Sequence, residues 1–430
     1  MADEVKVQDG MQSDFSVVVN DIAEELLTRL NMDEDGSVID MFQTGSFDPW
    51  QLFVFFGALE KALVDFRTDK RKKTVIVHAQ PEAPKEGVKL LGEIVETKGA
   101  GEGFGVVFVD ANELWYFETG TGHKWIASKI PQDEYFVTAN QGRLHAYKEN
   151  DPNFMGAKDV IKFAIDNKTY DPAKDGEFNF TKAYTRDDER DVTYNYPRVC
   201  WVQSMFNPSL KQDFADGQKF PVFLKPEKKL GVEDLKAAMR AHYDGTAFDN
   251  YASKDEDKKN IYRAISVFRT YESHVMQVRP WLPKEIGRVT YVALGMADLS
   301  VYLPYYEGLD GFIKGYSDGS YDADDTSIYW VYRKLQTLVM TDYEKYSPVV
   351  KEAYAKFEKE LAVKQAKFED EYVKLYKKDK KKADKLLNEF SKKTMQEAKD
   401  LTMELTNKVF TMLTADMDAK LKSLNKGKKD

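Results

Sequence analysis

Cys200 is the only thiol in the 430-residue sequence. A thiol nucleophile needs a base, and His145 or His242 could supply one in a papain-like pairing, but neither carries the flanking residues of such a site. Cys200 lies in the apolar run Val199, Cys200, Trp201, Val202. A free cysteine in such a run is expected to be a packed core side chain. One cysteine forms no intramolecular disulfide, and no paired Cys/His spacing suggests structural zinc, so a reducing compartment fits. Asn31, Asp33, Asp35 and Gly36 copy the start of a calcium loop, but position twelve is Phe42 where a bidentate glutamate belongs. An acidic turn between helices is the expectation there. The acidic loop at residues 317–325 matches no ligand spacing, and no metal or cofactor is expected.

Those side chains need a body to hold them, and 42% apolar with 13% aromatic residues is enough to build one or two cores. The net charge of -9, with both signs interspersed, lacks the basic footprint that grips phosphate backbones, so nucleic acid is excluded as a partner. The lysine-rich stretch at residues 377–382 is flanked by acids and reads as a solvated helix face. The first apolar run, residues 15–19, is too short for a signal peptide, and no stretch reaches the roughly 18 apolar residues of a membrane span. These readings point to a cytoplasmic protein with no membrane partner. Homo-oligomerisation is left open.

Periodicity divides the chain into residues 1–85, 86–342 and 343–430. In the first part, residues 15–30 and 49–66 have helical spacing and residues 75–77 form a short β-like run, with Pro81 and Pro84 in a connector. A helix from Glu86 places Val88, Leu91, Ile94 and Val95 on one face. Short aromatic and β-branched runs follow at residues 104–109, 113–118, 125–130 and 135–139, punctuated like hairpins. A strand is expected at 198–203 and a helix at 232–242, then strands at 261–269, 274–278, 288–293 and 300–303. The intervals inside each block are too short for helical crossovers, so both sheets should be antiparallel in an α+β sandwich. Residues 343–424 are almost wholly helix-forming, and Leu361, Phe368, Val373 and Tyr376 suit helices packed on the body better than a strict coiled coil.

The block GEGFGVVFVDANELWYFETGTGHKWIASKIPQDEYFVTANQGRL at residues 101–144 resembles the signature of the dipeptidase A family of cysteine dipeptidases, in the N-terminal-nucleophile hydrolase superfamily. Similar pieces follow in the family's order at residues 178–184, 197–209, 225–249, 262–280 and 287–306. The likeness runs from about residue 86 into the C-terminal helices, and residues 1–85 do not share it. It implies an αββα sandwich of two antiparallel sheets, incomplete here, and metal-free hydrolysis of dipeptides. The family's nucleophile is a cysteine at the mature amino terminus, whose α-amine, with a pKa of about 7.7 to 8.0, accepts the thiol proton. No such cysteine is present in this sequence.

The resemblance further implies that Asn140, at the end of the fourth strand, donates its amide to the oxyanion, although an asparagine there is also an ordinary turn former. Arg263 falls in the region of an arginine that favours the thiolate, with Arg269 as rival; six apart in a strand, the two would share a face. Arg143, His123 and His242 lie in matched motifs and become substrate-binding or positioning residues. Three readings follow. The first is a dipeptidase whose nucleophile-bearing start is encoded upstream of Met1. The second is an inactive binding or scaffold protein, and the third is a chain cleaved within residues 1–85 to expose Thr44 or Ser46.

Overall fold

A computed structural model describes residues 74–78, 84–98, 104–185 and 189–426. The expected helices at 15–30 and 49–66, the turn from Asn31 to Phe42, and Thr44 and Ser46 lie outside the described residues. Two compact units divide the chain: residues 1–199 with 216–226, and residues 200–215 with 227–430.

The first unit opens with β1 (Thr74–His78) and α1 (Pro84–Lys98), followed by the meander β2 (Gly105–Val109), β3 (Leu114–Gly120) and β4 (Lys124–Ile130). Then come β5 (Tyr135–Phe136), β6 (Phe154–Gly156), α2 (Val160–Asp166), α3 (Phe180–Tyr184) and α4 (Asp191–Tyr194). The sheet order is β1-β2-β3-β4-β6. Its meander is antiparallel as expected, but β1 pairs with β2 in parallel, Ile76 opposite Val107. The helix α1 lies between these two strands in the chain, and it supplies the crossover that a parallel pair requires.

Residues Trp115 to Thr119 of β3 are all buried, which is why that strand reads as a continuous aromatic run instead of an alternation. Val88, Ile94 and Val95 of α1 are buried as the spacing required. Gly92 of α1 is a close-approach position: a Cβ there would stand 2.1 Å from the Trp125 ring. Trp125 stacks on Phe117 with centroids 5.0 Å apart and donates its indole N–H to Glu96 over 2.9 Å.

The expected strand at 135–139 shortens to the two residues of β5, which pair with β7 (Phe223–Leu224) and not with the meander. The neighbour of β4 in the large sheet is instead β6, antiparallel to it. The chain leaves the first unit within α5 (Tyr196–Phe206), a helix where a strand was expected at 198–203. The run of apolar residues there suits either element, and Pro197 in the first turn, with Asn195 just before it, decides for a helix start.

In the second unit, α6 (Val232–Arg240) precedes the antiparallel strands β8 (Glu272–Val278), β9 (Arg288–Leu294) and β10 (Leu303–Tyr306), with α7 (Lys284–Gly287) between the first two. The sheet order is β10-β9-β8. The strand expected at 300–303 thus begins three residues later. Residues 261–269 form no strand at all, because Tyr243 and Tyr251 hold them through hydroxyl bonds to the carbonyls of Arg263 and Ser266, both 2.8 Å.

Three helices complete the unit: α8 (Ile328–Val339), α9 (Tyr343–Tyr376) and α10 (Lys380–Lys426). Leu361 and Phe368 are buried and Val373 and Tyr376 pack half-buried against the same core, in agreement with the helical reading; Tyr372, buried beside them, lies outside the expected set. Lys380 bridges Glu285 and Asp384 and Lys382 bridges Asp379, so two of the five lysines of the turn are paired with nearby carboxylates. No described helix is long and apolar enough to cross a membrane.

Candidate active site

In the first unit the loop after β5 is clamped from two directions. Glu118, buried on β3, accepts the backbone N–H groups of Arg143 at 3.1 Å and Leu144 at 3.0 Å. A buried carboxylate is tolerable when charged donors and amides surround it, and two N–H groups of the loop are satisfied in the same stroke. Gly142 makes this approach feasible, since a Cβ there would sit 2.6 Å from Glu118 Oε1 and 2.5 Å from Thr185 Cγ2.

The other clamp comes from the start of α5. Asn195 accepts the Asn140 N–H through Oδ1 at 2.9 Å and donates Nδ2 to the Asn140 carbonyl at 3.2 Å. Arg198 donates Nη2 to Asn140 Oδ1 at 2.9 Å and to Asn195 Oδ1 at 2.7 Å, while its Nε donates to the Tyr194 carbonyl. Because a guanidinium only donates, it fixes which end of the Asn140 amide faces it. The Asn140 NH₂ therefore points the other way, a donor pair on a side chain whose backbone and oxygen are both held. Asn140 stands four residues beyond β5 and not at a strand end.

Arg143 is fully buried, and its guanidinium donates to the carbonyls of Phe220 at 3.4 Å and Pro221 at 2.8 Å. Burial pulls its pKa down, with Glu118 opposing. His123 is exposed at the turn between β3 and β4, with a left-handed φ of 61°, and its Nδ1 lies 3.2 Å from the Glu96 carbonyl. His145 is pushed down to about 4 by burial and by Arg143 and Lys182, which keeps it neutral.

The second unit holds His242, Arg263 and Arg269. His242 is buried, with Nδ1 at 2.8 Å from Asp249 and Nε2 at 3.0 Å from the Tyr343 hydroxyl, 3.1 Å from Asp244 and 3.6 Å from Asp298. Tyr343 also donates to Asp298, whose other oxygen meets Lys351 at 2.7 Å. Burial disfavours the imidazolium, yet the bonds to Asp249 and Asp298 outweigh it and raise His242 to about 9. The reverse holds for Asp249: burial works against its charge, but His242 and the N–H groups of Tyr251 and Ala252 bring it down to about 2. His242, Asp244 and Asp298 are close enough together to ligate an ion. The positive charge these carboxylates face is that of His242 and Lys351.

Arg263 and Arg269 do not share a strand face, since 261–269 is irregular. Arg263 is half-buried with its carbonyl held by Tyr243, whereas Arg269 is exposed. Arg333 donates to the Phe268 and Thr270 carbonyls on either side of Arg269, fixing that bend. Cys200 is buried, as the apolar run predicts, and burial pushes its thiol up to about 11. In the acidic loop at 317–325, Asp324 accepts the N–H groups of Thr326 and Ser327 at 2.8 and 2.7 Å, a local turn.

Sequence reasoning missed Glu118, Asn195 and Arg198. Each lies in or beside a quoted motif, and the available signal for Glu118 was a lone acid inside an aromatic strand, a residue that is buried only when something pairs with it.

The profile of Peptidase family C69 matches residues 69–356, reaching back past the start of the motif likeness to include β1. The chain is 52% identical over 239 residues to a probable dipeptidase of Salmonella dublin, covering 55% of this chain and 54% of that protein. It is 35% identical over 260 residues to a probable dipeptidase of Latilactobacillus sakei, covering 60% and 54%. Dipeptidase A of Lactobacillus helveticus matches at 33% over 223 residues, covering 51% and 46%. The chain thus spans about half the length of these curated relatives. With two thirds of its residues inside the family profile and the Asn140 loop among them, the chain belongs to peptidase family C69.

Proposed function

We propose that this chain is the oxyanion-binding and substrate-positioning part of a cytoplasmic dipeptide hydrolase built on the αββα N-terminal-nucleophile plan, with residues 86–342 as its body. The observation that carries this is the Asn140 amide, whose Oδ1 is taken by Arg198 so that its NH₂ is aimed away from that contact, with no acceptor bound to it among the described residues. Fixed donors of this kind stabilise a developing oxyanion without reorganisation, and one is typically worth a factor of about 10² to 10³ in rate. The names of the relatives, all dipeptidases, favour hydrolysis over binding alone.

Arg263 is assigned to favouring the nucleophilic thiolate. Arg143, His123, His242 and Arg269 are assigned as substrate-binding or positioning residues; positioning suits Arg143, whose Nη groups are bonded to backbone carbonyls, and His242, whose ring is bonded to buried partners. No residue of this sequence is assigned as nucleophile: Cys200 is buried, and a thiol raised to about 11 gives little thiolate near neutral pH, which argues against it.

The test is to titrate the full chain with a dipeptide panel, following the Asn140 side-chain amide by NMR and the release of free amino acids. The reading expects dipeptides to shift that amide signal and Asn140→Ala to weaken their binding. No response to any dipeptide, or turnover that disappears in Cys200→Ala, would overturn it.

A further inference from the structure

Asn195 stands where two helices meet. The single turn α4 ends at Tyr194 and α5 begins at Tyr196, and the Asn195 N–H still bonds the Asp191 carbonyl at 3.0 Å. Asp191, Asn195 and Arg198 are thus four and three apart along a continuing helical path, the spacing that brings side chains onto one face. Asp191 and Asn195 are 8% and 3% exposed. An acidic residue in the first turn of a helix ordinarily serves the unbonded amides of that turn. Here Asp191 Oδ1 accepts Nδ2 of the Asn195 side chain.

An amide side chain can turn over and exchange its donor and acceptor ends unless its partners forbid it. A carboxylate accepts and a guanidinium donates, so each admits one end only. Asn195 lies between one of each, with Nδ2 on Asp191 and Oδ1 on Arg198 Nη2 at 2.7 Å. Negative charge faces the positive end of the amide dipole, and positive charge faces the negative end. The same orientation lets Asn195 accept the Asn140 N–H at 2.9 Å and donate to the Asn140 carbonyl at 3.2 Å. Turned over, it would set oxygen against oxygen and N–H against N–H. The contacts run from Asp191 through Asn195 and Arg198 to Asn140, whose NH₂ has no acceptor among the described residues.

We infer that Asp191 is a positioning residue for the Asn140 donor, acting through Asn195 and opposite Arg198 to fix the direction of both amides. A donor serves an oxyanion best when it is already aimed at the place where charge develops, and the side chains behind it set that aim. Asp191→Asn keeps the shape of the carboxylate but offers either end to Asn195, so one of the two charged groups that set the polarity is lost. The consequence for hydrolysis rests on the oxyanion reading of Asn140, whereas the contact with Asn195 does not.

Asp191→Asn in the full chain tests this with two readouts. The Asn140 side-chain amide signal in the NMR spectrum, identified by its loss in Asn140→Ala, is expected to shift and broaden. Alanyl-alanine and its phosphinic analogue, in which a tetrahedral phosphinate replaces the peptide carbonyl, separate aim from fold. The analogue is expected to bind the variant about tenfold more weakly than the wild type, with alanyl-alanine changed less than about twofold. Equal losses for the two ligands mark a merely structural role and overturn the inference, as does an unmoved Asn140 signal. Should the variant fail to fold, the wild type decides: the Asn195 NH₂ hydrogens are expected to exchange with solvent at least about a hundredfold more slowly than those of free asparagine, and exchange at the free rate overturns the inference. A wild type that binds neither ligand sinks the hydrolase reading instead, and the Asn140 signal alone then decides for or against Asp191.

Discussion

Arg198 Nη2 stands 2.9 Å from Asn140 Oδ1 and 2.7 Å from Asn195 Oδ1, so one guanidinium orients two amides fifty-five residues apart in the chain. The Asn140 NH₂ owes its direction to this contact, and a change at Arg198 should act on Asn140 without touching it. Arg198→Met is expected to cost about 1.5–3 kcal/mol, the worth of charged hydrogen bonds. It should also broaden the Asn140 side-chain amide signal. Urea unfolding and the NMR spectrum check the two halves, and an unmoved amide signal would show that Arg198 does not hold it.

Glu118 and Gly142 predict a paired sensitivity. Glu118→Ala strands the buried N–H groups of Arg143 and Leu144 and should destabilise by roughly 2–3 kcal/mol. Gly142→Ala forces a methyl against Glu118 and Thr185 at distances no carbon tolerates, for about 1–3 kcal/mol. The two residues touch, so their costs should fall short of additive in a double-mutant cycle measured by urea unfolding.

The His242 cluster makes the second unit sensitive to alkali. A group raised from about 6.5 to about 9 on folding contributes stability that is whole below its unfolded pKa and is lost as pH rises through its folded one. Unfolding midpoints should therefore fall between pH 6.5 and pH 9.5, by an amount with a ceiling of roughly 3 kcal/mol. Asp249, Asp244, Asp298, Tyr343 and Lys351 all face the ring and share in the effect. In His242→Gln that slope should flatten while stability at pH 6.5 drops, which near-UV circular dichroism in urea can follow.

Cys200 should be slow to alkylate in the native chain. A thiol at about 11 is ionised in roughly one molecule per thousand at pH 8, against about a quarter for a free thiol, so reaction with a soluble disulfide reagent should be at least a hundredfold slower than in denaturant. Fast native labelling would show that the thiol is neither buried nor raised.

The meander and the long helices were legible because their signals are local. Aromatic runs broken by Asp110 and Gly122 specify β2 to β4, and an unbroken helical composition specifies α9 and α10. The segment at 261–269 was misread because its apolar residues look like a strand while its backbone bonds go to two tyrosine hydroxyls from an earlier loop. The helix α5 was misread because an apolar run has no period to distinguish the two structures, and only Pro197 tips the balance. Asn140 was found through its motif, but Arg198 was not, since nothing in the spacing of two residues fifty-eight apart shows that they meet.

The tyrosines packed into the second unit carry a further consequence. Burial raises the phenols of Tyr302, Tyr305, Tyr306, Tyr316, Tyr332 and Tyr354 above their ordinary value, so each stays protonated while the fold lasts. Above pH 10 the unfolded chain gains from ionising rings that the folded chain keeps neutral, and that gain accumulates over every ring released together. The ultraviolet band of phenolate should then appear in one steep step with the collapse of this unit, and its absorbance would serve as a built-in gauge of how much of the core is intact.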